Sequence, residues 1–277
     1  MLEPNKIYLT DCIEGCKKLE NDTIDLVVTS PPYDNLRNYD NGQGNIWGES
    51  VWKALAEQLY RVVKPGGVVV WIVSDATIDG SETGTSFKQA LHFMSCGFNL
   101  HDTMLWIKAG GGAIGSNYSY TQNFEYMFVF SKGKPKSIHL IEDIPSNEPS
   151  TGVVRRAEAA RGAAKLPGVS KEVRIMHCKA MSRRNNWWYL VPRAQDGSSF
   201  HPAVFPPELA RDHIISWSDK GDLVLDPFMG SGTTAIEAVK LGRKFLGFDI
   251  SQEYINGANN LLKKLTGPFR LYGNIGV

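Results

Sequence analysis

Two short stretches of the chain hold residues whose types and spacing suit chemistry. In DLVLDPFMGSGTTAIEAVKLGRKFLGFDIS, residues 222–251, an apolar run ends at Asp226 and Pro227-Phe228 follow. Gly230, Ser231 and Gly232 then form a Gly-x-Gly turn, and a helical pattern opens at Thr233. Glycines let backbone N–H groups approach a ligand, and a helix N-terminus favours negative charge. The next apolar run ends at Asp249-Ile250, where a carboxylate can accept from both hydroxyls of a ribose. No Gly-Lys-Ser/Thr follows the loop, which excludes a Walker-type phosphate cradle. Gly230-x-Gly232-x-x-Ala235 does satisfy the loose dinucleotide fingerprint. Asp226 at the mouth of the loop argues against it, because a carboxylate there repels a pyrophosphate and suits a cationic amino group. S-adenosylmethionine carries an ammonium and a ribose and no phosphate, so it fits the loop better than a dinucleotide.

The second stretch is IDLVVTSPPYDN, residues 24–35. Ile24–Thr29 reads as a buried strand that two prolines must end, since proline has no amide hydrogen for a sheet. At the carboxyl end of a parallel strand, Ser30–Tyr33 would face a ligand crevice. Pro32 holds Pro31 extended, so the segment is pre-organised. The Ser30 hydroxyl and the Pro31 carbonyl can accept from one planar amino group, while Tyr33 stacks on the ring that bears it. An exocyclic amine is a poor nucleophile because its lone pair is delocalised. Two fixed acceptors would stabilise the nitrogen as it pyramidalises and gains positive charge.

Alternating strands and helices must position these stretches. Strand-like runs fall at Ile24–Thr29, Val68–Val73, Thr103–Ile107, Glu125–Phe130, Asp222–Asp226 and Lys244–Phe248. Helical patterns fall at Val51–Val63, Ser86–Ser95, Thr233–Leu241 and from Glu253 to about Leu265. This order predicts an α/β fold with a mostly parallel, doubly wound sheet. The alternation fails between Pro145 and Ser199, a Gly/Ala/Asn-rich stretch that reads as an insertion. Trp187 and Trp188 are expected to anchor that insertion on the sheet by supplying its small core.

Charge is uneven. Residues 1–150 carry 12 Lys/Arg against 18 Asp/Glu, whereas residues 151–200 carry 10 against 3. One basic segment in an otherwise acidic-to-neutral chain points to a polyanion. The longest apolar run, Val68–Val73, is too short to span a bilayer, and no basic-then-apolar leader opens the chain. A cytoplasmic protein without membrane association is expected. The four cysteines form no Cys-x-x-Cys pair, so neither a zinc site nor a disulfide framework is expected. None follows a proline, which argues against ring-carbon methylation through a cysteine nucleophile.

TSPPY at 29–33 together with DPFMGSGTT at 226–234 resembles the DNA amino-methyltransferases that modify N4 of cytosine or N6 of adenine. The catalytic motif precedes the cofactor loop, as in the circularly permuted β-class of that family. YLTDCIEGCKKL at 8–19, VKPGGVVVWIVSD at 63–75, MLWIKAG with NFEYMFVFSKGKP, and HPAVFPPELARDHI at 201–214 extend the likeness over about four-fifths of the chain. The resemblance implies a Rossmann-like methyltransferase fold with Ser30, Pro31, Pro32 and Tyr33 at the target base. It places Asp226, Phe228, Gly230 and Gly232 on the methionine part of S-adenosylmethionine and Asp249 on its ribose. Asp11 and Cys12 would lie near the adenine, and His201, Pro202 and Phe205 would close the methionine pocket. The usual Lys-Pro after His-Pro is replaced by VFPPE, which leaves the role of Phe205 open.

The implied division is a catalytic half at 1–149, a basic target-recognition region at 150–199 and a cofactor-binding half at 200–277. Arg155, Arg156, Arg161, Lys165, Arg183 and Arg184 are the expected DNA contacts, with Arg37 and Trp47 as further candidates. The implied reaction is direct methyl transfer to a flipped base, without metal or covalent intermediate. Filling the space left by that base is the alternative role for Trp187 and Trp188. Ser30, where adenine-modifying members more often have Asp, favours cytosine N4, with adenine N6 as the alternative. A dinucleotide-dependent oxidoreductase and a non-catalytic DNA-binding module are the competing classes. DNA is the expected partner, a cognate restriction endonuclease acting separately is compatible, and either a monomer or a homodimer would serve.

Overall fold

The computed structural model describes residues 2–32, 47–109, 120–146, 154–155, 175–176, 180–192, 201 and 204–266. The chain divides into two compact units, one of residues 1–139 and 186–277 and one of Leu140–Asn185.

The larger unit is built on one eight-stranded sheet. In chain order its elements are β1 (Lys6–Leu9), α1 (Cys12–Lys17), β2 (Ile24–Thr29), α2 (Glu49–Val62), β3 (Val63–Val73), α3 (Thr85–Ser95) and β4 (Asn99–Lys108). There follow β5 (Phe124–Ser131), β6 (Trp187–Leu190), α4 (Pro207–Trp217), β7 (Leu223–Asp226), α5 (Thr233–Lys240), β8 (Lys244–Asp249) and α6 (Gln252–Thr266). The strand order is β1-β8-β7-β2-β3-β5-β4-β6. All neighbours run parallel except β5, which is antiparallel to both β3 and β4.

The central strands are apolar on both faces because helices cover both. Every residue of β2 is buried. In β3, Val68, Val70 and Ile72 join the core layer that holds residues of α4, α5 and α6. Val69, Trp71 and Val73 join the layer that holds residues of α1, α2 and α3. Such two-sided burial is what makes parallel strands read as continuous apolar runs. Helix α2 buries Trp52, Leu55, Ala56, Leu59 and Val62, the spacing of one helix face. Its fully buried Leu55 and Leu59 each contribute about 1.5–3 kcal/mol of burial free energy. The register of β2 on β3 jumps from Ile24↔Val63 to Leu26↔Val68, so Lys64-Pro65-Gly66-Gly67 bulges from the ladder. Gly66 supplies the positive φ of +81° that this turn needs.

One feature departs from the sequence reading. Trp187–Leu190 is not part of an insertion: it is the eighth strand, parallel to β4, in the register Trp187↔Leu105 to Leu190↔Lys108. Trp188 is buried in the main core with its ring 4.4 Å from that of His213 on α4, while Trp187 is half exposed. The pair therefore alternates across an edge strand instead of forming a local core. The smaller compact unit spans Leu140–Asn185. Within it, Glu142–Pro145 pairs antiparallel with Met181–Arg183, and Val154–Arg155 pairs with Ile175–Met176.

Candidate functional site

β7 and β2 are neighbours, but the chain leaves them in opposite directions, β7 toward β8 and β2 toward β3. That makes their carboxyl ends the topological switch point of the sheet, where a crevice opens. Asp226 ends β7 and Thr29 ends β2, and the Thr29 hydroxyl donates to Asp226 Oδ1 at 2.6 Å. The circular permutation separates the two motifs in sequence, and the sheet reunites them here.

The loop after Asp226 is held by its own backbone. Met229 N donates to the Phe248 carbonyl, and Gly232 N to the Met229 carbonyl. Gly230 (φ +51°) and Gly232 (φ +83°) adopt left-handed conformations. A Cβ on Gly232 would come within 2.9 Å of the Ala258 Cβ, and one on Gly230 within 2.8 Å of His201 Nε2. Close packing and backbone conformation thus both demand glycine. Ser231 and Thr233 hydroxyls lie 3.1 Å apart at the start of α5.

Asp226 is buried, and burial pushes its carboxyl up to about 6. Hydrogen bonds from Thr29 and from Phe228 N (3.0 Å) pull the other way, while the charge of Asp249 adds to the rise. Among the described residues no cation lies beside Asp226, and a buried carboxylate without a countercharge is costly, so this one suits a cation supplied from outside. Asp249 accepts from Gly230 N on Oδ2 and from Ser251 N on Oδ1, both at 2.8 Å. Burial raises its pKa against those bonds. Each oxygen keeps a second lone pair that a ribose hydroxyl can use. Beside it, Ile250 is half exposed, as is Leu9 of β1, which pairs with Asp249 in register. An apolar surface thus lies next to the carboxylate.

Asp11 is the N-cap of α1, its Oδ1 accepting from Ile13 N at 2.8 Å and Glu14 N at 3.3 Å. Cys12 is buried, and burial pushes its thiol well above the usual range. The His201 ring stands over Gly230 and meets Tyr254 edge-on at 4.5 Å. Phe205 is half-buried against the core layer that includes α4 and α5. Phe228 sets its ring edge-on to Trp47 at 5.2 Å. Trp47 also lies 6.4 Å from Trp71, so its ring bridges Phe228 and the core. Glycines of the right conformation, one uncompensated buried carboxylate and a second carboxylate at the next strand end fit S-adenosylmethionine.

On the target-base side, Ser30 is half-buried and Pro31 buried immediately beyond β2. Tyr33, Arg37, Pro202, Arg156, Arg161 and Lys165 lie outside the described residues, and of Arg155 only its backbone in a two-residue strand is described. Arg184 is ion-paired with Asp143 inside the smaller unit. Arg183 is 71% exposed, with Glu142 3.9 Å away. Sequence reasoning missed Thr29 and Asp75. Asp75 is a buried carboxylate just beyond β3 that accepts from the amide and hydroxyl of Ser86 at 2.8 and 2.6 Å. Its job is to organise the start of α3. A hydroxyl at the end of a buried strand was the one signal for Thr29.

Comparison with known proteins agrees with this geometry. The DNA methylase family of the N6/N4 type matches residues 24–260. The orphan methyltransferase M.BamHII of Bacillus amyloliquefaciens is 46% identical over 255 residues, covering 87% of this chain and 89% of that protein. The type II methyltransferase M.SmaI of Serratia marcescens is 27% identical over 90% of this chain and 87% of its own. Among solved structures, the PvuII DNA methyltransferase (cytosine-N4-specific) superposes with a TM-score of 0.64 at 20% identity, over 98% of this chain and 87% of that one. The M1.HpyAVI–SAM complex superposes with a TM-score of 0.59 at 22% identity, over 93% and 98% of the two chains. The chain belongs to the N6/N4 DNA methylase family and is an S-adenosylmethionine-dependent DNA amino-methyltransferase.

Proposed function

We propose that the enzyme methylates N4 of cytosine in duplex DNA after taking the base out of the stack. The supporting observation is the junction of Thr29 and Asp226, which sets Ser30-Pro31 beside the cofactor loop with a 2.6 Å hydrogen bond. Asp226 meets the cofactor's ammonium, Gly230 and Gly232 let the backbone approach it, Asp249 accepts from the ribose, and Ile250 flanks the adenine. Asp11 and Cys12 line the adenine side, and His201 covers the methionine side. When bound, S-adenosylmethionine supplies an electrophilic methyl group. Ser30 Oγ and the Pro31 carbonyl orient the target amine and accept its hydrogens as positive charge grows on nitrogen. Tyr33 stacks on the base. Much of the rate then comes from holding nitrogen in line with the methyl group.

Ser30 at the first position of the motif favours cytosine, and the cytosine-N4-specific name of the PvuII enzyme is in keeping with that choice. The basic segment at 150–199, with Arg155, Arg156, Arg161, Lys165 and Arg183, contacts phosphates and bases and makes binding salt-dependent. We also assign the enzyme to the cytoplasm, acting without a bound endonuclease, in keeping with the orphan status of its M.BamHII relative. No helix among the described residues is long and apolar enough to cross a membrane.

The test is incubation with labelled S-adenosylmethionine and varied duplexes, followed by digestion to nucleosides and mass spectrometry. N4-methylcytosine is the expected product. N6-methyladenine would move the assignment to the other base, and unlabelled DNA from both duplex and single strands would overturn it. Ser30→Ala and Tyr33→Ala should abolish transfer and leave cofactor binding intact.

A further inference from the structure

β2 and β7 pair only through Leu26↔Val224 and Val27↔Leu225. Beyond Val27 the ladder stops, yet the target-base turn begins three residues later. Two side-chain hydroxyls bridge the gap. Thr29 Oγ1 donates to Asp226 Oδ1 at 2.6 Å, and Thr234 Oγ1, in the first turn of α5, donates to the Val28 carbonyl at 3.2 Å. All three side chains are buried, and Thr29 is fully so. The bonds cross the switch point in opposite directions, one from the catalytic strand to the cofactor loop and one back.

We propose that Thr29 is a positioning residue for methyl transfer, whose hydroxyl, donated to Asp226, holds the Ser30-Pro31 acceptors in register with the cofactor loop and couples occupancy of the two sites. The proposal rests on the reading that Asp226 meets the cofactor's ammonium and that Ser30-Pro31 receives the target amine.

The physical basis is charge assistance. A hydrogen bond to an ionised carboxylate is about twice as strong as one to a neutral acceptor. A cation against Asp226 keeps it ionised, strengthens the bond from Thr29 and so steadies the end of β2. By linkage, DNA on the target-base side then strengthens cofactor binding by the same factor. Among the described residues, the groups facing Asp226 are Thr29 from β2, Thr234 from α5, the Phe228 amide from its own loop and Asp249 from β8. Asp249 is the one ionisable group among them, and it disfavours the charged form. Losing the Thr29 donor therefore makes Asp226 harder to ionise. Burial already pushes that carboxyl up to about 6, close enough to neutrality for the change to be measured.

The test uses the full chain and Thr29→Val, which keeps the shape and removes the hydroxyl, beside Thr29→Ser, which keeps the hydroxyl. S-adenosylmethionine affinity is titrated from pH 5 to 8, and DNA affinity is measured with and without S-adenosylhomocysteine. In the wild type the cofactor affinity falls as pH drops through about 6. Thr29→Val should move that limb up by about one pH unit, which costs about twofold in affinity at pH 7 and approaches roughly tenfold at pH 5. It should also shrink the cofactor-dependent gain in DNA affinity toward one and lower kcat by about tenfold or more, with KM for DNA rising by no more than the gain that is lost. Thr29→Ser should stay within about threefold of wild type, the rescue expected when the hydroxyl and not the packing matters. If Thr29→Val does not fold, Thr29→Ala, which introduces no bulk, carries the same expectations. A wild-type acid limb and kcat in the variant lacking the hydroxyl, or a Thr29→Ser as impaired as that variant, would overturn the proposal. Asp226→Asn separates the two levels. If it binds the cofactor as tightly as wild type, the reading of the cofactor loop fails and takes this proposal with it. If it loses the cofactor while Thr29→Val matches wild type, only the coupling through Thr29 fails.

Discussion

β2 and β7 lie side by side, and each carries a buried aspartate at the same depth: Asp25 and Asp226 are each 2% exposed. Asp25 sits near the amino end of its strand, Asp226 at the carboxyl end. Around Asp25 the chain has placed Lys136 at 2.6 Å, Lys64 at 2.8 Å and the Leu223 amide at 2.9 Å. Burial works to raise the Asp25 pKa, and these partners outweigh it and hold the carboxyl below its ordinary value. Around Asp226 the described partners are hydroxyls and an amide, with no cation among them, and the carboxyl rises to about 6. One aspartate has its countercharge built in and fastens the amino edge of the sheet. The other is left short of a countercharge at the edge where open α/β sheets bind ligands. A buried carboxyl without a countercharge either takes up a proton or is completed by a cationic ligand, and on the proposed reading Asp226 does the second.

Four experiments would break or sharpen that contrast. The largest effect is expected from Asp226→Asn, which should weaken S-adenosylmethionine by roughly 100-fold or more, as for loss of one partner of a buried charge pair. Its thermal stability should hold or rise, and calorimetry with a melting curve reads both. Asp25→Ala should do the reverse. Stability should fall by about 2–3 kcal/mol in urea, mostly because the Leu223 amide loses its acceptor. The two lysines are 38–40% exposed, so solvent screening keeps each of their contributions below about 1 kcal/mol. The folded fraction should bind the cofactor within about twofold of wild type, an effect too small to be tied to the site.

A third experiment varies pH. Asp25 has a lowered folded pKa, so its contribution is present above the unfolded value of about 3.9 and is lost as pH falls through the folded one. Asp226 has a raised one, so its contribution in the ligand-free protein is present below about 3.9 and is lost as pH rises through about 6. A cationic ligand relieves that cost, so S-adenosylmethionine should raise Tm more at pH 8 than at pH 5. Equal shifts at both values would remove the contrast. The smallest effect is expected from Lys136→Met, below about 1 kcal/mol, since Lys64 still covers Asp25 and the lost side chain is 40% exposed.

The central strands and the cofactor loop were legible in sequence because their signals are local. Ile24–Thr29 matches β2 residue for residue, since a strand buried on both faces shows as an unbroken apolar run ended by prolines. Asp226, Gly230, Gly232 and Asp249 stand where motif spacing put them, at two strand ends and the turn between. β6 was not legible. Trp187-Trp188-Tyr189-Leu190 is four residues long and amphipathic at an edge, and its partner β4 lies far back in the chain, so it reads as part of the basic segment beside it. The pairing of Arg184 with Asp143 was not legible either, because it depends on Glu142–Pro145 meeting Met181–Arg183 across a long stretch of chain.

The sequence by itself therefore determined the class of fold, the cofactor and the reaction family, because glycine conformation, strand termination and charge are properties of neighbouring residues. The tertiary structure decided which aspartate is ion-paired and which has only hydroxyl and amide partners among the described residues. It also decided that Thr29, 197 positions from Asp226, donates a hydrogen bond to it, and that Trp47 braces Phe228. Those outcomes depend on which strands become neighbours, and that is settled by burial of both sheet faces over the whole chain and not by any local run of residues.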